Sequence, residues 1–216
     1  MAGAPVLGVV TVACGAGAEV FPFPWADDRA ESFVDQVGAR LAPGRGQGGA
    51  SLSPASLVDL DGARLVLPSA NGATICDALG CEGVALVAGS LRNAAVVGAW
   101  LAARLHADRK LGVAVVAAGE RWPDGSLRPA VGDCWGAGAV IAALLARLPV
   151  AMSPESLAAV AAYRAVAGDL GRYLAECVSG RELIQRGFEP DVGIAGQVDS
   201  ATVVSLLVDG RFVSHR

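Results

Sequence analysis

The sequence has 216 residues, of which 53% are hydrophobic and 18% charged, so we expect one domain with one sizeable hydrophobic core. A formal net charge of −4 and a pI near 5.2 give no general attraction to nucleic acid or to an anionic membrane surface. The mean hydropathy is +0.48, but no run reaches the ~18 uninterrupted apolar residues that a membrane span needs. Neither nucleic acid nor a membrane is therefore expected as a partner.

The N-terminal residues and the cysteines indicate a cytoplasmic protein. Met1–Pro5 lack the basic residues that open a secretory signal. The five cysteines are odd in number, show no C-x-x-C spacing and are expected to be free structural thiols. The two histidines, His106 and His215, are too few and too isolated for a histidine metal site and are expected at the surface.

The first half of the chain alternates between helical and strand-like patterns. Residues 27–42 predict a helix that Pro43 and Gly44 end. Residues 63–68, 83–88 and 111–118 are short apolar runs, typical of strands buried on both faces.

The second half predicts helices and then a hairpin. Residues 92–106 and 134–148 carry helical stripes, and another helical region begins at Ser153-Pro154-Glu155. Asp209-Gly210 predicts a tight turn and an antiparallel edge to the sheet. The pattern indicates a single α/β domain over residues 1–216, with a mixed, mostly parallel sheet covered by helices and a C-terminal β-hairpin; residues 153–216 are the segment that would form a sub-lobe.

Several catalytic signatures are excluded. The single lysine, Lys110, is not part of a Walker A loop. No cysteine-phosphatase loop and no G-x-S-x-G nucleophile elbow occurs. Gly44, Gly46 and Gly49 fit G-x-G-x-x-G, but they follow a predicted helix instead of a strand, which disfavours a dinucleotide site.

A glycine-rich loop is the first candidate ligand site. Unhindered backbone N–H groups at Gly46, Gly48 and Gly49 could wrap an anion, with Arg45 to neutralise its charge and Ser53 nearby. A flexible surface loop is the alternative interpretation.

Two further polar segments lie where a predicted helix begins. The loop from Ser69 to Thr74 follows a strand, so Asn71, Gly72 and Thr74 would face a helix N-terminus and bind phosphate; a simple helix cap is the alternative. Asn93 opens the next helix, where capping is favoured over ligand contact.

The acidic candidates follow the strand predicted to end near Ala118. Asp133, at another helix start, is the expected metal ligand, because hard divalent ions prefer oxygen donors; an N-cap role is the alternative. Glu120 is a weaker candidate for ligand or general base, and Arg121 beside it could grip an anionic substrate group.

These residues resemble the 2-phosphosulfolactate phosphatase family from about Gly17 onward. The resemblance is carried by the glycine-rich loop ending in Ser53-Pro54, the segment Ser69-Ala70-Asn71-Gly72-Ala73-Thr74, Asn93-Ala94, Ala118-Gly119, Asp133 with Ala137-Gly138, and the segment from Gly187 to Asp191. The family implies a Mg²⁺-dependent enzyme that removes phosphate from 2-phosphosulfolactate, as in coenzyme M biosynthesis.

The chain also departs from the family pattern. The expected Asp-Val-Leu-Arg-type motif is missing, and Val6–Thr11 stand in its place. A Glu-Asp pair is reduced to Gly132-Asp133. Two explanations stay open: the chain begins after a true first strand, or the site has degenerated.

The leading hypothesis is a phosphatase in which Asp133 anchors Mg²⁺, with Asn71 and Glu120 as further catalytic residues. The loops around Asn71 and Gly46 would hold phosphate, and Arg45 or Arg121 would grip a carboxylate or sulfonate. The alternative is a catalytically impaired homologue that binds a small anion or serves as an assembly partner. A homodimer is one assembly consistent with the sequence, which leaves the oligomeric state open.

Overall fold

The computed structural model describes residues 6–24, 27–69, 71–80 and 83–215. Three parts of the sequence interpretation lie outside these residues: the N-terminus Met1–Pro5, Ala70 in the predicted phosphate loop, and the thiol of Cys81.

A six-stranded sheet forms the centre of the fold. The strands are β1 (Glu19–Phe23), β2 (Arg40–Leu41), β3 (Arg64–Pro68), β4 (Val87–Ala88), β5 (Glu120–Arg121), β6 (Leu127–Arg128), β7 (Val204–Val208) and β8 (Arg211–His215). The large sheet has the order β2-β3-β1-β8-β7-β4, and β5 and β6 form a separate small hairpin. β1 and β2 run parallel to β3, whereas β8 is antiparallel to β1 and β7, and β7 is antiparallel to β4. The predicted α/β fold, with its mixed sheet and C-terminal hairpin, is confirmed.

Helices fill the segments between the strands. They are α1 (Val6–Gly15), α2 (Asp28–Val37), α3 (Gly72–Leu79), α4 (Ala94–Ala107), α5 (Val131–Leu145), α6 (Pro154–Val166), α7 (Leu170–Glu176), α8 (Val178–Gln185) and α9 (Glu189–Ala195), with 3-10 turns at Pro54–Ser56, Leu91–Asn93 and Ala167–Asp169. The helices predicted over 92–106 and 134–148 are confirmed, and Ser153 caps α6 by accepting a hydrogen bond from the Ser156 N–H.

The buried side chains fall into two clusters. One joins α1 to the sheet through residues such as Val9, Val20, Leu65 and Phe212. The other joins α4 and α5 to the later helices and includes Trp135. Each fully buried large apolar side chain contributes ~1.5–3 kcal/mol of hydrophobic free energy, so the sheet and the helical layer each have a substantial core.

The helix predicted over residues 27–42 ends earlier than expected. Asp27 caps α2, and Gly38 adopts φ 58° after its last turn, a left-handed conformation typical of a helix C-terminus. Arg40–Leu41 then pair with β3. The positive φ at Gly38 releases the chain into a strand before Pro43 is reached.

The predicted strands had different outcomes. Residues 63–68 form β3, but only Val87–Ala88 of 83–88 are a strand. The strand predicted over 111–118 is wrong: this segment has no strand pairing, and its valines lie largely at the surface. The neighbouring strand β4 lies at the edge of the sheet and pairs only with β7.

The C-terminal hairpin was predicted correctly, except for its place in the sheet. Asp209 and Gly210 both have positive φ, 48° and 76°, which suits a tight primed turn. The two strands lie inside the sheet between β1 and β4 instead of at its edge. β1 was missed because Pro22 and Pro24 argue against a central strand.

Within the described residues, no helix is long and apolar enough to cross a membrane. Cys14 and Cys76 are buried free thiols, and Cys134 and Cys177 are half-buried free thiols. His106 and His215 are both exposed, as expected.

Candidate functional site

Asp133 lies in the first turn of α5, where its carboxylate turns toward the preceding loop. The N-cap of this helix is Ala130, so the N-cap interpretation of Asp133 is wrong. Its Oδ2 accepts a hydrogen bond of 2.7 Å from the Gly119 N–H. The carboxylate therefore holds the end of the 111–118 segment and does not cap its own helix.

Asn71 reaches the same glycine from α3. Its Nδ2 donates a 2.8 Å hydrogen bond to the Gly119 carbonyl oxygen, and its side chain makes no capping hydrogen bond to α3. The Asn71 Oδ1 is buried and has no hydrogen-bond partner among the described residues. Gly119 thus links Asn71 and Asp133, two residues that the sequence proposed for one site.

Glu120 follows Gly119 and is 2% exposed. Its Oε1 accepts a 2.7 Å hydrogen bond from the Ser179 hydroxyl. The Arg128 Nη1 lies 3.3 Å from the Glu120 Oε2, but the contact lacks hydrogen-bond geometry, and Oε2 is left without a hydrogen-bond partner in the described structure. Arg128 instead donates two hydrogen bonds to Glu182. One oxygen of Glu120 is therefore incompletely satisfied.

The environment of Asp133 disfavours its charge. The pKa of Asp133 is raised to about 6, mainly by burial and to a smaller extent by the neighbouring Glu120 carboxylate, while the Gly119 hydrogen bond lowers it. A raised carboxyl pKa with a charged neighbour is common at functional sites. Without a cation, Asp133 holds a proton over a range that extends close to neutral pH.

Arg45 is paired with a carboxylate of the protein. Its Nε donates a 3.0 Å hydrogen bond to the Asp191 Oδ2, and the side chains of the pair are 7% and 3% exposed. The Asp191 Oδ1 also accepts hydrogen bonds from the Ser53 hydroxyl, at 2.5 Å, and from the Ala55 N–H, at 3.3 Å. This cluster ties the glycine-rich loop and the following 3-10 turn to α9.

The glycine-rich loop needs its glycines. Gly46, Gly48 and Gly49 have φ of 81°, 84° and 63°, a region that strains any residue with a side chain. All three are exposed, and Gly46 packs near the Phe188 ring. The loop is anchored at Arg45 and Ser53 while its glycine backbone stays at the surface.

The other predicted site residues do not all converge. Gly72 is buried at the start of α3, whereas Thr74 and Arg121 are exposed. The Arg121 Nη1 donates to the Gly125 carbonyl within the small hairpin. Asn93 is fully buried; its Oδ1 accepts from the Ser90 N–H, and its Nδ2 donates to the carbonyls of Ala88 and Val203. Asn93 does not cap α4, because its side chain makes no capping hydrogen bond to that helix. Its side chain instead accepts the Ser90 N–H at the start of the 3-10 turn Leu91–Asn93.

Acidic and basic side chains together line a small pocket of about 70 Å³. Its charged lining residues are Arg45, Arg92, Glu120, Asp133 and Asp191. Asp133 and Arg92 also line an adjoining, mostly apolar groove of about 480 Å³. The two residues therefore stand where the small pocket and the larger groove meet.

Sequence reasoning missed the roles of two of these residues. Asp191 had appeared only within the segment that resembles the family, and its place in the first turn of α9 was the available local signal. Arg92 had been passed over for its neighbour Asn93. No local pattern distinguishes a buried arginine from an exposed one.

Most of the chain matches the model of a known protein family. A family model described as 2-phosphosulpholactate phosphatase matches residues 49–210. The chain belongs to the 2-phosphosulfolactate phosphatase family. The match contains Asn71, Glu120, Asp133 and Asp191, and membership of the family indicates a phosphatase. No protein of curated function matches the chain.

Metal binding in this family member would depend on few side chains. In the part of the chain that the structure describes, no three His, Cys, Asp or Glu side chains form a ready-made metal cluster. The oxygens that could serve a hard cation belong to Asp133, Glu120 and Asn71, and the last two residues each have a buried oxygen without a hydrogen-bond partner.

Proposed function

We propose that the protein is a Mg²⁺-dependent phosphatase that hydrolyses 2-phosphosulfolactate, or a similar small 2-phospho acid, to the hydroxy acid and phosphate. The observation that carries the proposal is the convergence of Asn71 and Asp133 on Gly119, next to the buried Glu120, in a member of a phosphatase family. The Asn71–Gly119 and Gly119–Asp133 contacts join residues that are 48 and 14 positions apart in the chain.

The oxygen atoms at this cluster fit Mg²⁺. The ion commonly uses only one or two protein carboxylates and completes its coordination with water and substrate phosphate. Asp133 is the proposed anchor, and the buried oxygens of Asn71 and Glu120 are the further donors. A cation there would stabilise the charged form of Asp133, whose pKa is raised mainly by burial and to a smaller extent by the Glu120 carboxylate.

The chain's own residues would share the remaining tasks. Bound Mg²⁺ would offset negative charge on the transferring phosphoryl group. Gly119 orients both Asn71 and Asp133 through its backbone. Arg45 is assigned to positioning the glycine-rich loop, since Asp191 already neutralises its charge. The loop's N–H groups stay candidates for phosphate oxygens.

A second candidate function is a non-catalytic homologue that binds a small anion or serves as an assembly partner. The observation in its favour is Arg92, a cationic group in the pocket wall whose hydrogen bonds go only to neutral acceptors. Such a group attracts an anion whether or not a reaction follows.

Phosphate release from 2-phosphosulfolactate, with and without Mg²⁺, tests the proposal. Wild type should release phosphate only with the metal, and Asp133→Asn should lose about 10²-fold or more in kcat/KM, since it removes the anchoring charge and keeps the side-chain shape. Asp169→Asn, at an exposed surface pair, is the matched control and should behave as wild type. Release without metal, or full activity in Asp133→Asn, contradicts the proposal.

A further inference from the structure

Arg92 occupies an unusual position for an arginine. It stands in the 3-10 turn before α4 and is half-buried. Its Nη1 donates to the Ile194 carbonyl, at 2.9 Å, and to the Gln197 Oε1, at 2.5 Å. Its Nε is buried without a partner, and Nη2 makes no hydrogen bond within the described part of the chain. No carboxylate pairs with this guanidinium in the described residues.

The other buried arginines provide the contrast. Arg45 is paired with Asp191, and Arg128 with Glu182 and Glu120. Burial lowers the pKa of both Arg45 and Arg92, but only Arg45 has an opposite charge that offsets the cost of its burial. The pocket therefore contains two arginines in different electrostatic states: Arg45 is neutralised by the protein, and Arg92 lacks a counter-ion from the protein.

The position of Arg92 suits a ligand with two anionic groups. Arg92 lines the small pocket together with Asp133 and Glu120, and it lines the larger groove together with Asp133. The two hydrogen bonds of Nη1 hold the planar guanidinium in a defined orientation. Guanidinium groups bind carboxylates and sulfonates through paired N–H donors.

We propose that Arg92 binds the carboxylate or sulfonate group of the substrate while the phosphate lies toward Asp133. This inference rests on the proposed phosphatase function for the identity of the substrate. It replaces the earlier assignment of that group to Arg45 or Arg121. Arg92 thereby selects 2-phospho acids over phosphate esters that carry no second anion.

Kinetics with two substrates test this role. Arg92→Gln should raise KM for 2-phosphosulfolactate by ten- to a hundredfold, the range for a lost charge-assisted contact of ~1.5–3 kcal/mol. The same variant should change KM for p-nitrophenyl phosphate, which has no second anionic group, by less than about threefold. Arg147→Gln is the matched control, because Arg147 is exposed and its Nη1 also donates to a backbone carbonyl.

The two substrates distinguish a role of Arg92 in substrate selection from a purely structural role. Equal losses with both substrates, or no change with either, overturn the inference. Arg92→Lys keeps the charge and loses the planar fork, and it should raise KM for 2-phosphosulfolactate to an intermediate value. If Arg92→Gln does not fold, Arg92→Lys alone decides, and an unchanged KM counts against the role.

A binding measurement distinguishes failure of this inference from failure of the phosphatase proposal. Titration calorimetry with sulfolactate, the expected product, needs no turnover. Binding to wild type that Arg92→Gln weakens at least tenfold supports the subsite even if no phosphate is released from any substrate. Turnover by wild type, with sulfolactate binding equally to both proteins or to neither, preserves the phosphatase and overturns the role of Arg92.

Discussion

Two carboxylates, Asp191 and Asp133, both line the small pocket but have different hydrogen-bond and charge partners. On one side Asp191 accepts hydrogen bonds from Arg45, Ser53 and the Ala55 N–H, and its charge is balanced within the protein. On the other side Asp133 accepts a hydrogen bond from the Gly119 N–H, and burial, together with the smaller effect of the Glu120 charge, raises its pKa to about 6. Both are buried or half-buried acids on first turns of helices.

This difference supports the proposal that one side of the pocket holds the structure together and the other takes the ligand. A fully hydrogen-bonded ion pair holds elements together and has little capacity left for another partner. An acid with one donor and a repelling neighbour gains from an added cation. We therefore assign the Asp191 side to positioning of the glycine-rich loop and the Asp133 side to chemistry.

The largest expected effect comes from breaking the paired side. Asp191→Asn leaves the Arg45 guanidinium buried without a counter-ion and should lower the free energy of unfolding by ~3–5 kcal/mol, measured by urea denaturation. Asp169→Asn, at a surface pair whose side chains are 49–58% exposed, is the control and should change stability little. A loss no greater than that of the control would show that the buried pair adds nothing to stability.

Neutralising Asp133, by contrast, should raise the free energy of unfolding. Because the pKa of Asp133 is raised in the folded state from 3.8 to about 6, the folded protein binds the proton more tightly, and stability is lost as pH rises through that window. Without metal, Asp133→Asn should be more stable than wild type above pH 6 by ~1–3 kcal/mol. Urea denaturation at several pH values measures the difference.

The pH dependence makes this prediction specific. The difference between Asp133→Asn and wild type should vanish near pH 3.5, where both proteins are neutral at this position. A difference that persists there points to packing instead of charge. Millimolar Mg²⁺ should raise the melting temperature of wild type and leave that of Asp133→Asn unchanged.

Removing one serine hydroxyl beside Glu120 and one beside Asp191 should cause smaller losses of stability. Ser179→Ala removes the hydroxyl donor to Glu120, whose other oxygen lacks a hydrogen bond, and should cost ~1–3 kcal/mol. Ser53→Ala removes one of three donors to Asp191 and should cost ~0.5–1.5 kcal/mol. Chemical denaturation of both variants tests the order, and a larger loss for Ser53→Ala contradicts it.

The smallest effect is expected in the segment that leads into the Asp133 side. Val113 is 41% exposed, so Val113→Thr should change stability by less than ~0.5 kcal/mol. Val66→Thr in β3 is the buried counterpart, at 0% exposure, and should cost ~1–3 kcal/mol. Equal losses would show that residues 111–118 are packed in solution as the apolar pattern of the sequence predicts.

Much of the fold could be read from local patterns. The start of α6 at Ser153, the C-terminal hairpin at Asp209-Gly210 and the helices after residues 91 and 130 follow from caps, turn residues and periodicity. The predictions failed where the secondary structure of a segment depends on pairing with a segment far away in the chain. The proline in β1, Pro22, argued against a strand that in fact pairs with β3 and β8. The apolar run at 111–118 forms no strand pairing.

The candidate site was predictable in part. The Asn71 loop was correctly placed between a strand and a helix, whereas residues 111–118, directly before Gly119, form no strand. Asn71 and Asp133 nevertheless meet at Gly119. The partner of Arg45 was not predictable, because 146 positions separate it from Asp191. The burial of Arg92 depends on α9, which no pattern around residue 92 reveals.

The sequence by itself determined the α/β class, the turn of the hairpin, the helix caps and the resemblance to the 2-phosphosulfolactate phosphatase family. Only the tertiary structure decided which arginine is neutralised, which acid has a raised pKa and where residues 111–118 lie. The physical reason is that caps and turns are local hydrogen-bonding choices, whereas burial and charge compensation depend on which distant segments are brought into contact.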